Sequence, residues 1–185
     1  MTPGGGFEGR GSESGAPTVC DAGGVRFGFE QRWTATVDDV VEVYLDPAFW
    51  SELTALRATR PPEVLGIERS GDRAVVRLRY ALSVDLPKEA ARFIDPGDVT
   101  WVEETTWDLP ARSAQVRFLP AQGGGLLRAS ATADMVDEDG EALRRIRGEL
   151  KVRVPLVGGR VERAIVDGVG EHLDAEADAV AARLA

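Results

Sequence analysis

Cysteine, histidine and lysine are nearly missing from this 185-residue chain, asparagine is absent, and no long apolar run occurs. The lone Cys20 cannot close an intramolecular disulfide and has no basic neighbour to activate it, so neither a disulfide scaffold nor a redox thiol is expected. A reducing cytoplasm is the expected location. His172 is the single histidine, so any Ser-His-Asp arrangement would need it, and no G-x-S-x-G elbow accompanies it. His172 and Glu176 stand four apart on one helix without a third ligand or an H-E-x-x-H motif, which predicts a helix-surface histidine, no metal and no cofactor. No stretch of about 18 apolar residues exists to span a bilayer, and the N-terminus has no basic-then-apolar signal pattern. A net charge of -9 argues against nucleic acid and against docking on an anionic membrane.

The remaining composition, 43% hydrophobic and 29% charged, is that of a globular chain long enough for one substantial core. Residues 1–24 are rich in glycine, serine, proline and threonine without apolar periodicity, and a disordered tail is expected there. Gly4, Gly6 and Gly9 match G-x-G-x-x-G but lack the flanking strand and helix that a dinucleotide site requires. One domain is expected over 25–185.

Within it, 25–33 alternates as a strand, with Val25, Phe27 and Phe29 on one side. Thr36 offers a helix cap with Asp38 and Asp39 behind it, and Asp46-Pro47 divides two short helices. The second carries Phe49 and Trp50, which the sequence suggests as part of an exposed apolar patch for a protein partner. Six strands follow at 63–69, 73–84, 99–109, 112–119, 126–136 and 141–154, with a helical turn expected inside 85–98. The last strand sets Ile146, Gly148, Leu150 and Val152 against Arg145, Arg147, Glu149 and Lys151, which predicts a sheet covered on one face only.

The final thirty residues repeat Val157, Val161, Ile165, Val169, Leu173, Val180 and Leu184 at helical spacing. Burying that stripe is worth on the order of 1.5–3 kcal/mol per side chain, so a long helix against the sheet should dominate the fold. The predicted class is α+β: a curved antiparallel sheet of about seven strands, in the order β-α-α-β6-α, wrapped on a long C-terminal helix. This order resembles the helix-grip fold of the START-like polyketide-cyclase superfamily over 25–184. The strand-to-helix join RVPLVGGRVE at 153–162 further resembles the branch called domain of unknown function 2505.

A curled sheet under one helix leaves room for a pocket, and small residues support it: Ala129, Ala131 and Ala133 share a strand face, Gly148 lies on the next strand, and Gly168 and Gly170 interrupt the helix. The expected walls are Tyr80, Leu82, Trp101, Trp107, Phe118, Met135, Leu150, Ile165 and Val169. Such walls suit a small hydrophobic ligand of lipid, isoprenoid or polyketide kind. Strand parity places Glu103 between Trp101 and Trp107, where desolvation would raise its pKa, making Glu103 a candidate general acid, with Tyr80 beside it. A binding or carrier protein is the leading expectation. A cyclase or hydratase of the kind the resemblance implies comes second, and a protein-interaction module third.

Overall fold

The strand-and-turn pattern folds into hairpins, as seen in a computed structural model that describes residues 18–20, 24–54, 56, 59–81, 100–121, 127–153 and 158–185. The elements are β1 (Thr18–Cys20), β2 (Gly24–Trp33), α1 (Val37–Tyr44), α2 (Pro47–Glu52), β3 (Glu63–Ser70), β4 (Arg73–Ala81), β5 (Thr100–Asp108), β6 (Ser113–Pro120), β7 (Leu127–Glu138), β8 (Glu141–Val152) and α3 (Gly158–Leu184). All strands pair antiparallel in one curved sheet of order β1-β2-β8-β7-β6-β5-β4-β3. Strands β3 to β8 form a meander, and β2 closes on β8. The strand count exceeds the expected seven because Thr18–Cys20, inside the segment expected to be a structureless tail, pairs with Gly24–Arg26. The helical turn expected within 85–98, and Leu82, lie outside the described residues.

Local chemistry explains the breaks. Thr36 caps α1, its side chain accepting from the Asp39 N–H while the Asp39 carboxylate accepts from Thr36, a reciprocal capping box. Asp46 caps α2 with Pro47 at its first position. Asp139 and Gly140 both take positive φ, the geometry that closes the two-residue β7–β8 turn. The core lies on the sheet's inner face beneath α1, α2 and the C-terminal half of α3. Phe49 and Trp50 belong to it, at 3% and 4% exposure, and the Trp50 indole donates to the Tyr44 carbonyl. They are therefore not the exposed docking patch suggested by the sequence. α2 folds them inward, against Tyr44.

Helix α3 packs mainly on β2 and β8, and also on α1. Its buried residues are Glu162, Val166, Glu176 and Val180; of the expected aliphatic stripe Val180 is enclosed, Val161, Ile165, Val169, Leu173 and Leu184 are half-buried, and Val157 lies outside the described residues. Three polar ties and one glycine set the helix's rotation. The Glu162 carboxylate accepts from the Val152 N–H at 2.8 Å, where the last ladder position of β8 needs a partner. Gln31 Nε2 and Trp33 Nε1 on β2 donate to the Leu173 and Ala177 carbonyls. Gly170 faces Phe29, whose ring would lie 3.1 Å from an added Cβ.

Gly148 has a similar cause. The Phe27 ring occupies the space a Cβ would fill, at 2.3 Å, with the Ser130 carbonyl oxygen at 2.8 Å. Small size here accommodates an aromatic side chain from the neighbouring strand. Gly168 differs, since nothing stands within 4 Å of its would-be Cβ and its conformation is helical. Gly148→Ala should therefore destabilise the protein by about 1–3 kcal/mol through overpacking. Gly168→Ala should stabilise it by up to about 1 kcal/mol through helix propensity. Urea titration of both variants checks the opposite signs.

Candidate functional site

Inward parity on each strand determines which side chains meet under the helix. On β4 and β5 these are Leu78 and Tyr80, then Trp101, Glu103, Thr105 and Trp107. The register sets Tyr80 opposite Trp101 and Leu78 opposite Glu103. On β6 Phe118 stands opposite Glu103, and Val116 opposite Thr105. On β7 and β8 the inward positions include Ala129 opposite Leu150, Ala131 opposite Gly148, and Met135 opposite Arg144.

Two regions result. At the closed end, Trp107 stacks on Tyr44 with ring centroids 6.0 Å apart, and Met135 and Val180 are fully enclosed. At the other end the inward residues keep partial exposure: Trp101, Glu103, Phe118, Leu127 and Ala129 on the sheet, Ile165, Val169 and His172 on α3. The inner face is thus enclosed at one end and only part-buried at the other, the recess of the candidate site. Of the walls expected from the sequence, Tyr80, Trp101, Phe118, Ile165 and Val169 border this recess. Trp107 and Met135 sit in the closed core, and Leu150 is buried with Val25 and Val166.

The recess is not purely apolar. Glu103 is largely but not fully buried, and its carboxyl is raised to about 7, chiefly by burial and also by the charge of Glu176; Arg144 and a hydrogen bond from Thr105 act in the opposite direction. Tyr80 stacks on Trp101, centroids 5.5 Å apart and 16° between planes, and meets His172 edge-on at 5.4 Å. Burial, reinforced by Glu103, holds the Tyr80 phenol well above its ordinary range, so it stays a donor. Burial likewise holds His172 below its usual value, so the ring is neutral at pH 7. His172 is thus not the surface histidine anticipated from its place beside the helix stripe. It lies 3.8 Å from Glu176, and among the described residues no third His, Cys, Asp or Glu joins them.

Deeper in, Arg144 and Glu176 form an ion pair at 2.7 Å with side chains 8% and 6% exposed. The same Arg144 Nη1 lies 2.7 Å from the Tyr44 hydroxyl and 3.2 Å from Gln31 Oε1, and its guanidinium sits 4.6 Å above the Tyr44 ring. Tyr44 in turn bonds Glu176. The inner face is therefore not uniformly greasy, as strand alternation alone predicts. The available signal was parity: Arg144 lies two residues before Ile146, and Glu176 one helical turn after His172.

Two open depressions, of about 390 and 570 Å³, lie on the opposite, outer face and are lined by residues such as Arg26, Arg117, Arg147 and Arg128. Neither includes the buried acid or the aromatic pair.

The profile of a family described as "Protein of unknown function (DUF2505)" matches residues 29–184. A comparison with curated proteins finds no match. Among solved structures, the chain is similar to TTHA0849 from Thermus thermophilus, at 19% identity and TM-score 0.63, covering 86% of this chain and 99% of that one. It is also similar to Ms6760 from Mycobacterium smegmatis, at 16% and 0.56, covering 86% and 90%. A third likeness is to StfQ, the di-domain ARO/CYC of the steffimycin biosynthetic pathway, at 15% and 0.51, covering 84% of this chain and 44% of that one. At these identities the likeness establishes the fold alone, a curved antiparallel sheet gripping a long C-terminal helix.

Proposed function

The chain belongs to the DUF2505 family of proteins of unknown function, and we propose that it is a binding protein holding one small, largely apolar molecule between sheet and helix. The observation that carries this reading is the half-open inner face. Trp101, Phe118, Ile165 and Val169 are inward-facing apolar side chains that the fold leaves incompletely covered. Apolar surface retained inside a core that closes fully a few residues away is surface available to a guest. A cytoplasmic setting accords with the lone Cys20. Among the described residues no helix is long and apolar enough to cross a membrane.

The test is fluorescence of the uncharged dye Nile red with the folded protein, together with native mass spectrometry after organic extraction. Dye emission should rise, and Ala129→Phe, which fills the recess from β7, should remove most of that rise while leaving circular dichroism unchanged. A dye response that ignores Ala129→Phe contradicts the proposal.

A second reading, an enzyme using Glu103 as acid or base with Tyr80 beside it, is favoured by one observation: a carboxyl held near neutrality at the recess wall. Glu103→Gln separates the two readings, since a binding protein keeps its ligand and an enzyme keeps the ligand but loses turnover.

A further inference from the structure

We infer that the recess selects an uncharged ligand bearing an oxygen acceptor, a ketone, quinone or ester on a flat apolar body, over anionic and cationic ligands of the same size. The inference rests on the binding reading above and narrows its ligand class.

The first ground is a set of hydrogen-bond donors without acceptors. Tyr80 Oη and Trp101 Nε1 are buried and, among the described residues, unpartnered. They come from directly paired positions on β4 and β5, on stacked rings. Two adjacent buried donors left unpaired are a standing penalty of the empty protein. A ligand oxygen with two lone pairs is the complement that relieves both at once. Trp107 Nε1 is also unpaired, but it lies in the closed core against Tyr44 and is out of reach.

The second ground is charge. Among the described residues the acids facing this region are Glu103 from β5 and Glu176 from α3, while the inward cation, Arg144, is paired through Nη1 with Glu176 and Tyr44 and keeps an unpartnered Nε deeper in, beside that pair. His172 is neutral. A ligand carboxylate would meet two acids, and among the described residues the one inward cation, Arg144, already pairs with Glu176. A ligand ammonium would find Glu103 but would leave both donors unsatisfied, because it has no lone pair to offer. A purely hydrocarbon guest would leave them unsatisfied as well. The stacked faces of Tyr80 and Trp101 favour a planar body.

Four naphthalenes of matched shape test this: 2-acetylnaphthalene, 2-ethylnaphthalene, 2-naphthoate and 2-naphthylmethylammonium, with affinity read from calorimetry at pH 7. The ketone should bind about tenfold more tightly than the ethyl compound, the gain expected of one to two relieved donors. It should also outbind both ions. Tyr80→Phe and Trp101→Phe should each lower ketone affinity by more than they lower 2-ethylnaphthalene affinity, so that much of the ketone's advantage is lost, a split that general damage to the fold does not produce. Equal affinity for the ketone and the ethyl compound overturns this inference and leaves the binding reading intact. Tightest binding by the ammonium replaces it with a cation site. Binding by none of the four, with dye binding also absent, overturns both.

Discussion

Arg144→Met alone should destabilise the protein by about 3–5 kcal/mol, whereas Arg144→Met combined with Glu176→Leu should restore most of that loss. Removing one member of a buried pair strands the other charge in a low-dielectric interior, while removing both leaves an apolar contact of similar volume. The single change strands Glu176, which is 6% exposed, and takes a donor from Tyr44 and Gln31. For a chain of this size the single variant should melt roughly 10 °C or more below the parent. The double-mutant cycle is decisive because neighbours in one network are strongly non-additive. If the two single losses simply add, the pair is not coupled as its geometry implies. A rescued double variant would also show that the pair fixes where α3 sits on β8 and adds little net stability, since Glu176 and Arg144 are the only charged groups joining these two elements at the closed end among the described residues.

That pair also marks where the sequence stops being legible. Strand parity found the inner face correctly at Tyr80, Trp101, Glu103 and Trp107, because an antiparallel strand with one buried side leaves no choice of register. The hairpin turns and the Thr36 and Asp46 caps were equally readable, being local chemistry. The helix face was legible only in part: Val180 is enclosed and Leu173 and Leu184 pack on the core as the stripe implies, but Glu162, Val166 and Glu176 also turn inward. A stripe drawn through Val161, Ile165 and Val169 assumes that only apolar residues turn inward. In the structure α3 is rotated so that Glu162 reaches the Val152 N–H and Glu176 reaches Arg144. Both are partnerships between α3 and β8 that periodicity cannot see. Phe49 and Trp50 failed for a related reason: six residues of α2 are too few for a pattern, and their burial depends on Tyr44 being underneath.

Glu103→Gln should make the protein more stable at and above neutral pH and change little in acid. In the folded protein the carboxyl titrates near 7, against an ordinary 4.5. The native state therefore holds the proton more tightly than the unfolded chain. Below pH 4.5 both states are protonated and Glu103 adds no penalty. Between 4.5 and 7 the unfolded chain ionises first, so stability falls as pH rises. Above 7 the penalty is complete and amounts to about 3 kcal/mol at roughly 1.4 kcal/mol per pH unit. Glutamine keeps the shape and the polar contact with Thr105 but cannot ionise, so the variant should lack this decline. Urea unfolding of both proteins at pH 4.5, 6 and 8 reads the difference directly, and parallel stability curves would show that Glu103 is solvated as an ordinary carboxylate. A carboxyl kept at such a disadvantage, beside Trp101 and within reach of Tyr80, is maintained by something other than folding. Its cost at neutral pH is the strongest physical reason to look for the guest molecule at this end of the inner face and not beneath the sealed half of the helix.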